Sequence, residues 1–252
     1  MSQGPAIRVM IVDDEQPARD LLREYLSADP RIEIAAECAN GFEAVKSAAE
    51  DRPDIIFLDI QMPKLSGFEV VELLDPGALV IFCTAYDEHA LKAFEVHAVD
   101  YLLKPFSRER LFEALARAME RLRLAGPRAE SLPAGLADAA RPAGQFAERI
   151  LVKDGAKVEV IPVDRLDYLE AQDDYIAVHA GGRTWLKAGK LGEAASSLDP
   201  GRFVRIHRSY VLNIDRIARL ELYARDSRVA ILASGKVLPV SRAGYARLRE
   251  LM

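Results

Sequence analysis

The chain has 252 residues, half of them apolar, and 34 Lys+Arg against 39 Asp+Glu give a formal net charge of −5. That is too apolar for disorder and long enough for one large domain or two ordinary ones. Apolar runs such as Ile55-Ile56-Phe57-Leu58 fall far short of the roughly 20 residues of a membrane span, and the mildly acidic total argues at first sight against a nucleic-acid partner.

In chain order, the first half alternates short apolar runs with helical patterns. The runs are Val9–Val12, Ile32–Ala36, Ile55–Leu58, Leu79–Phe82 and Tyr101–Leu103. Nearly continuous apolar character over so few residues predicts strands buried on both faces of a parallel sheet. Between them, Leu21, Leu22, Tyr25 and Leu26 share a helical face, as do Leu111, Leu115, Ala118, Met119 and Leu122. Five strands alternating with five helices predict a doubly wound, flavodoxin-like α/β domain over 6–124. Met62 and Phe94 read as core, and His89 and His97 as surface or helix-end residues. Residues 125–147 hold three prolines and three glycines with no apolar period, and read as a linker.

The stretch 148–252 predicts a mostly β domain. Its expected strands are Arg149–Val152, Lys157–Val163, Tyr175–His179, Arg183–Leu186, Arg219–Tyr223, Val229–Leu232 and Lys236–Val240. Turn signals such as Asp154-Gly155, Gly181-Gly182 and Ser234-Gly235 separate them. Helical patches are expected at Leu191–Leu198 and Tyr245–Leu251. Charge divides unevenly. Residues 1–124 hold 14 basic and 23 acidic residues, whereas 183–252 hold 14 basic and 6 acidic. The acidic total hides a basic C-terminal third.

Ligands of open α/β sheets collect at the carboxyl ends of the strands. The first run ends in Asp13-Asp14, the third in Asp59, the fourth in Thr84 and the fifth in Lys104-Pro105. In the strand order 2-1-3-4-5 the three aspartates meet. Carboxylates so close repel unless a cation joins them, and oxygen ligands suit Mg²⁺. Asp59 could then attack phosphorus while Lys104 offsets charge on the phosphoryl oxygens. A cis Lys104-Pro105 bond would aim the lysine. Taken singly, each residue has an ordinary alternative as a helix cap or loop residue.

The segments Val12-Asp13-Asp14-Glu15, Leu58-Asp59-Ile60-Gln61-Met62-Pro63, Phe82-Cys83-Thr84-Ala85 and Asp100-Tyr101-Leu102-Leu103-Lys104-Pro105-Phe106 resemble the receiver domain of two-component response regulators. The resemblance implies that Asp59 accepts a phosphoryl group from a sensor histidine kinase. It implies Mg²⁺ ligation by Asp14 and Asp59, by Asp13 partly through water, and by the Gln61 carbonyl. It pairs Thr84 with Tyr101 as a switch, and the face carrying Tyr101 becomes the expected homodimer surface.

In the basic third, Arg202-Phe203-Val204-Arg205-Ile206-His207-Arg208-Ser209-Tyr210-Val211-Leu212-Asn213 mixes basic and apolar side chains, with Lys187 and Lys190 before it. Arginine can bond phosphate or the guanine edge, and Ser, Tyr and Asn add neutral donors. By itself the stretch is equally a solvated face. Together with Tyr168-Leu169-Glu170-Ala171 and Pro239-Val240-Ser241-Arg242, it resembles the LytTR-type DNA-binding domain, a β fold whose loops enter successive major grooves. The resemblance implies base contacts by Arg208 and Arg242, and a third near Asp174 or Tyr175. Lys187, Arg205, His207, Ser209 and Asn213 are candidates for DNA-backbone contact or loop support. Most of the acidic run Asp164–Asp174 is expected to face away from DNA.

The expected protein is a phosphorylation-dependent transcription regulator acting on double-stranded promoter DNA as a homodimer, without enzymatic output. A receiver fused to a protein- or membrane-binding β module is the alternative. Met1–Arg8 lacks the pattern of a secretory signal, and Cys38 and Cys83, each among apolar neighbours, read as reduced thiols, so a cytoplasmic location is expected.

Overall fold

The computed structural model describes residues 6–75, 77–85, 98–125, 145–155, 157–224 and 227–252. They form two compact units, one mainly from the N-terminal part of the chain, with 154–158, and one from the rest of the C-terminal part. The helix expected between the fourth and fifth strands, with His89, Phe94 and His97, lies outside the described residues, as does most of the expected linker.

The first unit contains β1 (Ile7–Val12), α1 (Gln16–Leu26), β2 (Ile32–Cys38), α2 (Gly41–Asp51), β3 (Ile55–Leu58), α3 (Gly67–Leu73), β4 (Leu79–Thr84), β5 (Asp100–Leu103) and α4 (Arg108–Ala125). The strands form one parallel sheet in the order β2-β1-β3-β4-β5, as expected. β3 and β4 are buried at every position, the mark of a sheet covered on both faces. The two helical faces predicted from periodicity do pack inward. Leu22, Leu26, Leu111, Leu115 and Ala118 join Val9, Ile11, Phe57 and Ile81 in the core, with Tyr25, Met119 and Leu122 partly buried against it. Met62 is buried, as expected.

Side-chain caps start three of these helices, α4 among them, where Ser107 Oγ accepts from the Arg110 amide at 3.2 Å. Asn40 accepts from the Glu43 amide at 3.0 Å, and Ser66 and Glu69 form a reciprocal capping box. Gly67 sits where α3 meets the end of β3. A Cβ there would lie 2.3 Å from the Asp59 carbonyl oxygen, so only glycine lets the helix approach that strand end.

The second unit has β6 (Arg149–Asp154), β7 (Lys157–Pro162), β8 (Leu166–Gln172), β9 (Tyr175–Ala180), β10 (Arg183–Ala188), α5 (Leu191–Ser196), β11 (Phe203–His207), β12 (Tyr210–Asn213), β13 (Ile217–Ala224), β14 (Ser227–Leu232), β15 (Val237–Val240) and α6 (Arg242–Leu251). An antiparallel sheet β10-β9-β8-β12-β11 is accompanied by a three-stranded sheet β13-β14-β15 and by the pair β6-β7. Two apolar clusters share the five-stranded sheet. One joins Leu166, Leu169, Val178 and Val211 to Leu191 and Leu198. The other joins Val204, Ile206 and Leu212 to Leu232, Leu238 and Leu248.

Strands β8, β11 and β12 are additional to those predicted by pattern. Charged residues interrupt the apolar alternation of β8 and β11, β12 is only four residues long, and the turn Arg208-Ser209 carries no glycine or proline. They become strands because both faces of the sheet are covered.

Candidate functional site

The acidic pocket forms at the carboxyl ends of β1, β3, β4 and β5. Val12 pairs with Leu58 and Phe82 with Tyr101, so the residues that follow or end these strands share one edge of the sheet. Asp13, Asp14 and Asp59 each offer a carboxylate oxygen, all within 4.8 Å of one another. Asp13 and Asp59 are buried and Asp14 is exposed.

Lys104 reaches into this group across a cis bond to Pro105. Its ammonium lies 2.6 Å from Asp13 Oδ2, 3.0 Å from Asp59 Oδ2 and 3.8 Å from Glu15 Oε2. Burial alone would lower the Lys104 pKa, but the two buried carboxylates outweigh it and hold the ammonium charged. Burial is also the main influence on Asp13, and it pushes that carboxyl upward against the pull of Lys104. The Glu15 amide donates to Asp13 Oδ1 at 3.0 Å, and the Gln61 amide donates to Asp59 Oδ1 at 3.2 Å.

Thr84 is fully buried at the end of β4. Among the described residues its Oγ1 has no hydrogen-bond partner, while its carbonyl accepts from the Lys104 amide at 2.8 Å. Tyr101 is buried. Three carboxylates facing one ammonium leave the pocket with excess negative charge, and every donor is a hard oxygen. That set fits a small divalent cation such as Mg²⁺.

Sequence reasoning missed a neighbouring ion network. Asp100, buried at the start of β5, accepts from Arg110 at 2.6 and 3.0 Å and also from Arg117. Burial works to raise the Asp100 pKa, but the two guanidinium groups prevail and hold it below the usual carboxylate range. Arg110 also donates to the Tyr101 carbonyl at 2.9 Å. A signal was available, since positions 110 and 117 are about two helical turns apart and share a face. The two cysteines are free and buried, as expected, and burial raises both thiols, Cys38 to about 11.

In the second unit the strand register brings most candidate DNA residues to one end of the sheet. Tyr210 pairs with Glu170, and the Ala171 amide donates to the Ser209 carbonyl at 2.9 Å. The β8–β9 turn with Asp174 and the β11–β12 turn with Arg208 and Ser209 are therefore neighbours. Lys187 pairs with Ile176 and Ala188 with Tyr175, which brings the end of β10 alongside. The start of α6, with Arg242, bonds back to Ile206. Arg208, Arg242, Arg205 and Tyr175 are exposed.

Several candidates support the fold or the turn. Arg205 donates to the Arg208 carbonyl at 2.9 Å, and His207 Nδ1 accepts from the Ser209 amide at 3.2 Å, so both brace the turn. Lys187 donates to the Leu151 carbonyl at 3.2 Å. Asn213 is a correction to DNA contact. It lies fully buried at the opposite end of β12, donates to the Leu166 carbonyl at 2.8 Å and accepts from the Asp215 amide at 3.0 Å. A side chain so enclosed supports the fold.

The acidic run divides in the same way. Asp167 pairs with Arg216 at 3.2 Å, and Glu170 accepts from the Tyr210 hydroxyl at 2.8 Å. Asp173 and Asp174, however, are exposed in the turn beside Arg208, so this part of the run shares its end of the sheet.

Residues 9–116 match the response regulator receiver domain, and residues 156–252 match the LytTr DNA-binding domain. An uncharacterized response regulatory protein of Yersinia pestis is 35% identical over 247 residues, spanning 97% of this chain and 98% of its own. Transcriptional regulatory protein BtsR of Escherichia coli is 36% identical over 251 residues, with coverage of 97% and 98%. Among solved structures, the REC domain of AraT from Geobacillus stearothermophilus is 35% identical. It covers 48% of this chain and 98% of its own, at a TM-score of 0.44. A LytTr DNA-binding domain from Bacillus cereus is 25% identical and covers 42% of this chain and 96% of its own, at a TM-score of 0.39.

Proposed function

Because the chain belongs to the two-component response regulators that join a receiver domain to a LytTr DNA-binding domain, we propose that Asp59 is its phosphoryl acceptor and that the sheet end around Arg208 and Arg242 reads promoter DNA. The receiver would span 6–124, the linker 125–147 and the output domain 148–252, with no catalytic output. The single observation that carries the first assignment is the convergence of Asp13, Asp14, Asp59 and Lys104 at one edge of the sheet.

The chemistry follows from that geometry. A sensor histidine kinase presents a phosphohistidine. An Asp59 carboxylate oxygen forms the new bond to phosphorus as the phosphorus–nitrogen bond breaks, and the electron pair leaves with the imidazole. Lys104, already between Asp13 and Asp59, offsets charge on the phosphoryl oxygens. Asp13, Asp14, Asp59 and the Gln61 carbonyl would hold Mg²⁺, which when bound supplies positive charge against the same oxygens. Thr84, whose hydroxyl has no partner among the described residues, has a donor ready for the phosphoryl group, and Tyr101 is its partner in the switch.

Phosphorylation then shifts a two-state receiver toward a self-associating form through the face that carries Tyr101. A homodimer would engage two half-sites on double-stranded DNA and gain affinity by linkage. Buried, protonated thiols at Cys38 and Cys83 suit a reducing cytoplasm. No helix of the described residues is long and apolar enough to cross a membrane.

The test is Asp59→Asn in the full chain, incubated with acetyl phosphate and Mg²⁺. Phosphate incorporation is expected to vanish; incorporation at the wild-type level would remove Asp59 from its role.

A further inference from the structure

The β11–β12 hairpin contains one irregularity. Arg205 pairs with Val211 and His207 with Tyr210, so Ile206 is an extra residue on β11. A bulge takes a backbone carbonyl out of the ladder, and a buried carbonyl needs another donor. Ile206 is fully buried. Its carbonyl accepts from the Ser241 amide at 2.9 Å and from the Ser241 hydroxyl at 3.0 Å. That hydroxyl in turn accepts from the Gly244 amide at 3.0 Å and caps α6.

Gly244 completes the contact by having no side chain. A Cβ there would lie 2.0 Å from the Ile206 oxygen and 2.5 and 2.6 Å from its carbonyl carbon and Cα. All three are backbone atoms of a buried strand, so neither partner can step aside. The first turn of α6 is thus seated directly on the bulge.

Both candidate base-reading arginines are tied to this point. Arg208 is two residues past Ile206, and Arg242 immediately follows Ser241. Arg205 braces the first arm by bonding the Arg208 carbonyl. We propose that the Ile206 carbonyl is a shared anchor that sets Arg242 against Arg208, with Ser241 and Gly244 as positioning residues for sequence-specific DNA binding. This rests on the reading that these two arginines contact bases. Attraction to phosphates tolerates small displacements of a charge, whereas hydrogen bonding to base edges does not. Loosening the anchor therefore lowers affinity for a preferred sequence while sparing general affinity for DNA.

The experiment uses the full chain and two duplexes at one salt concentration. One is selected from random-sequence DNA by the wild-type chain; the other is its scrambled counterpart. Ser241→Ala is expected to weaken binding to the selected duplex about tenfold and binding to the scrambled duplex less than about twofold. Ser241→Thr keeps the hydroxyl and restores the preference. In an Arg242→Ala background, Ser241→Ala adds no further loss of preference, because it acts through that arginine. Gly244→Ala moves the preference in the same direction as Ser241→Ala.

Thermal unfolding of each variant separates positioning from stability. A purely structural residue lowers the melting point and leaves the preference, measured well below melting, unchanged. The anchor is overturned if Ser241→Ala and Gly244→Ala spare the preference that Arg242→Ala removes, or if the Ser241 and Arg242 losses add. If Arg242→Ala itself spares the preference, the base-reading assignment fails, and the anchor's role falls with it.

Discussion

Asp100→Asn is expected to destabilise the first unit through charge alone, since the side chain keeps its shape. Asp100 is 3% exposed, and its Oδ2 accepts from Arg110 at 3.0 Å and from Arg117, while its Oδ1 accepts from Arg110 and from the Tyr101 amide. In the variant Oδ1 can keep its bonds, but an amide NH₂ opposes the guanidinium groups at Oδ2. Two charge-assisted bonds at about 2 kcal/mol each amount to about 4 kcal/mol. The arginine side chains are 34% and 56% exposed and can return to water. Halving for that screening leaves a loss of about 2 kcal/mol, or roughly 8 °C in the midpoint of a unit this size.

The assay is denaturation of the full chain followed by far-UV circular dichroism. Trp185, the one tryptophan, belongs to the second unit, so its fluorescence midpoint is the internal control and should not move. The pH dependence has a definite sign. The folded pKa of Asp100 lies below its ordinary 3.8, so its contribution is complete well above that value and is lost as pH falls through the folded pKa. The difference between wild type and variant is therefore constant from about pH 5 to 8 and shrinks in more acid solution. A midpoint unchanged at neutral pH, or a difference undiminished in acid, would refute the charge argument.

Thr84→Val removes a buried hydroxyl that has no partner among the described residues and is expected to raise stability of the unphosphorylated chain by up to about 1 kcal/mol. Phosphate would still enter at Asp59, but phosphorylation-enhanced DNA binding would be lost. Chemical denaturation and gel shifts with and without acetyl phosphate check the two halves. Arg208→Ala and Arg242→Ala should each cost about 1–3 kcal/mol at a specific site in gel shifts at fixed salt. Arg202→Ala, whose charge is paired with Asp215 at 3.1 Å, should cost far less. Asn213→Ala should lower the second unit's unfolding midpoint by fluorescence, because it orphans the buried Leu166 carbonyl.

The acidic pocket was legible because strand-end chemistry is local. Asp13-Asp14, Asp59, Thr84 and Lys104-Pro105 each end an apolar run, and a parallel sheet aligns such ends. The Asp100–Arg110–Arg117 network was less visible, because residues from a strand and a later helix must be brought together before their charges can be compared. In the second unit, periodicity found the strands with clear alternation. It passed over β8 and β11, where Asp167, Glu170, Arg205 and His207 break the pattern, and over the four-residue β12; burial there comes from two covering layers.

By itself, the sequence determined the division into an acidic and a basic part, the order of the described strands and helices in the first, and the aspartates and lysine that end its strands. These depend on spacing along the chain and on residue chemistry. Tertiary structure alone decided that Asn213 is enclosed at the far end of β12, that Asp173 and Asp174 share the end of the sheet with Arg208, and that α6 seats on the Ile206 bulge. Each depends on strand register, which a one-residue slip would change and which many distant contacts set together.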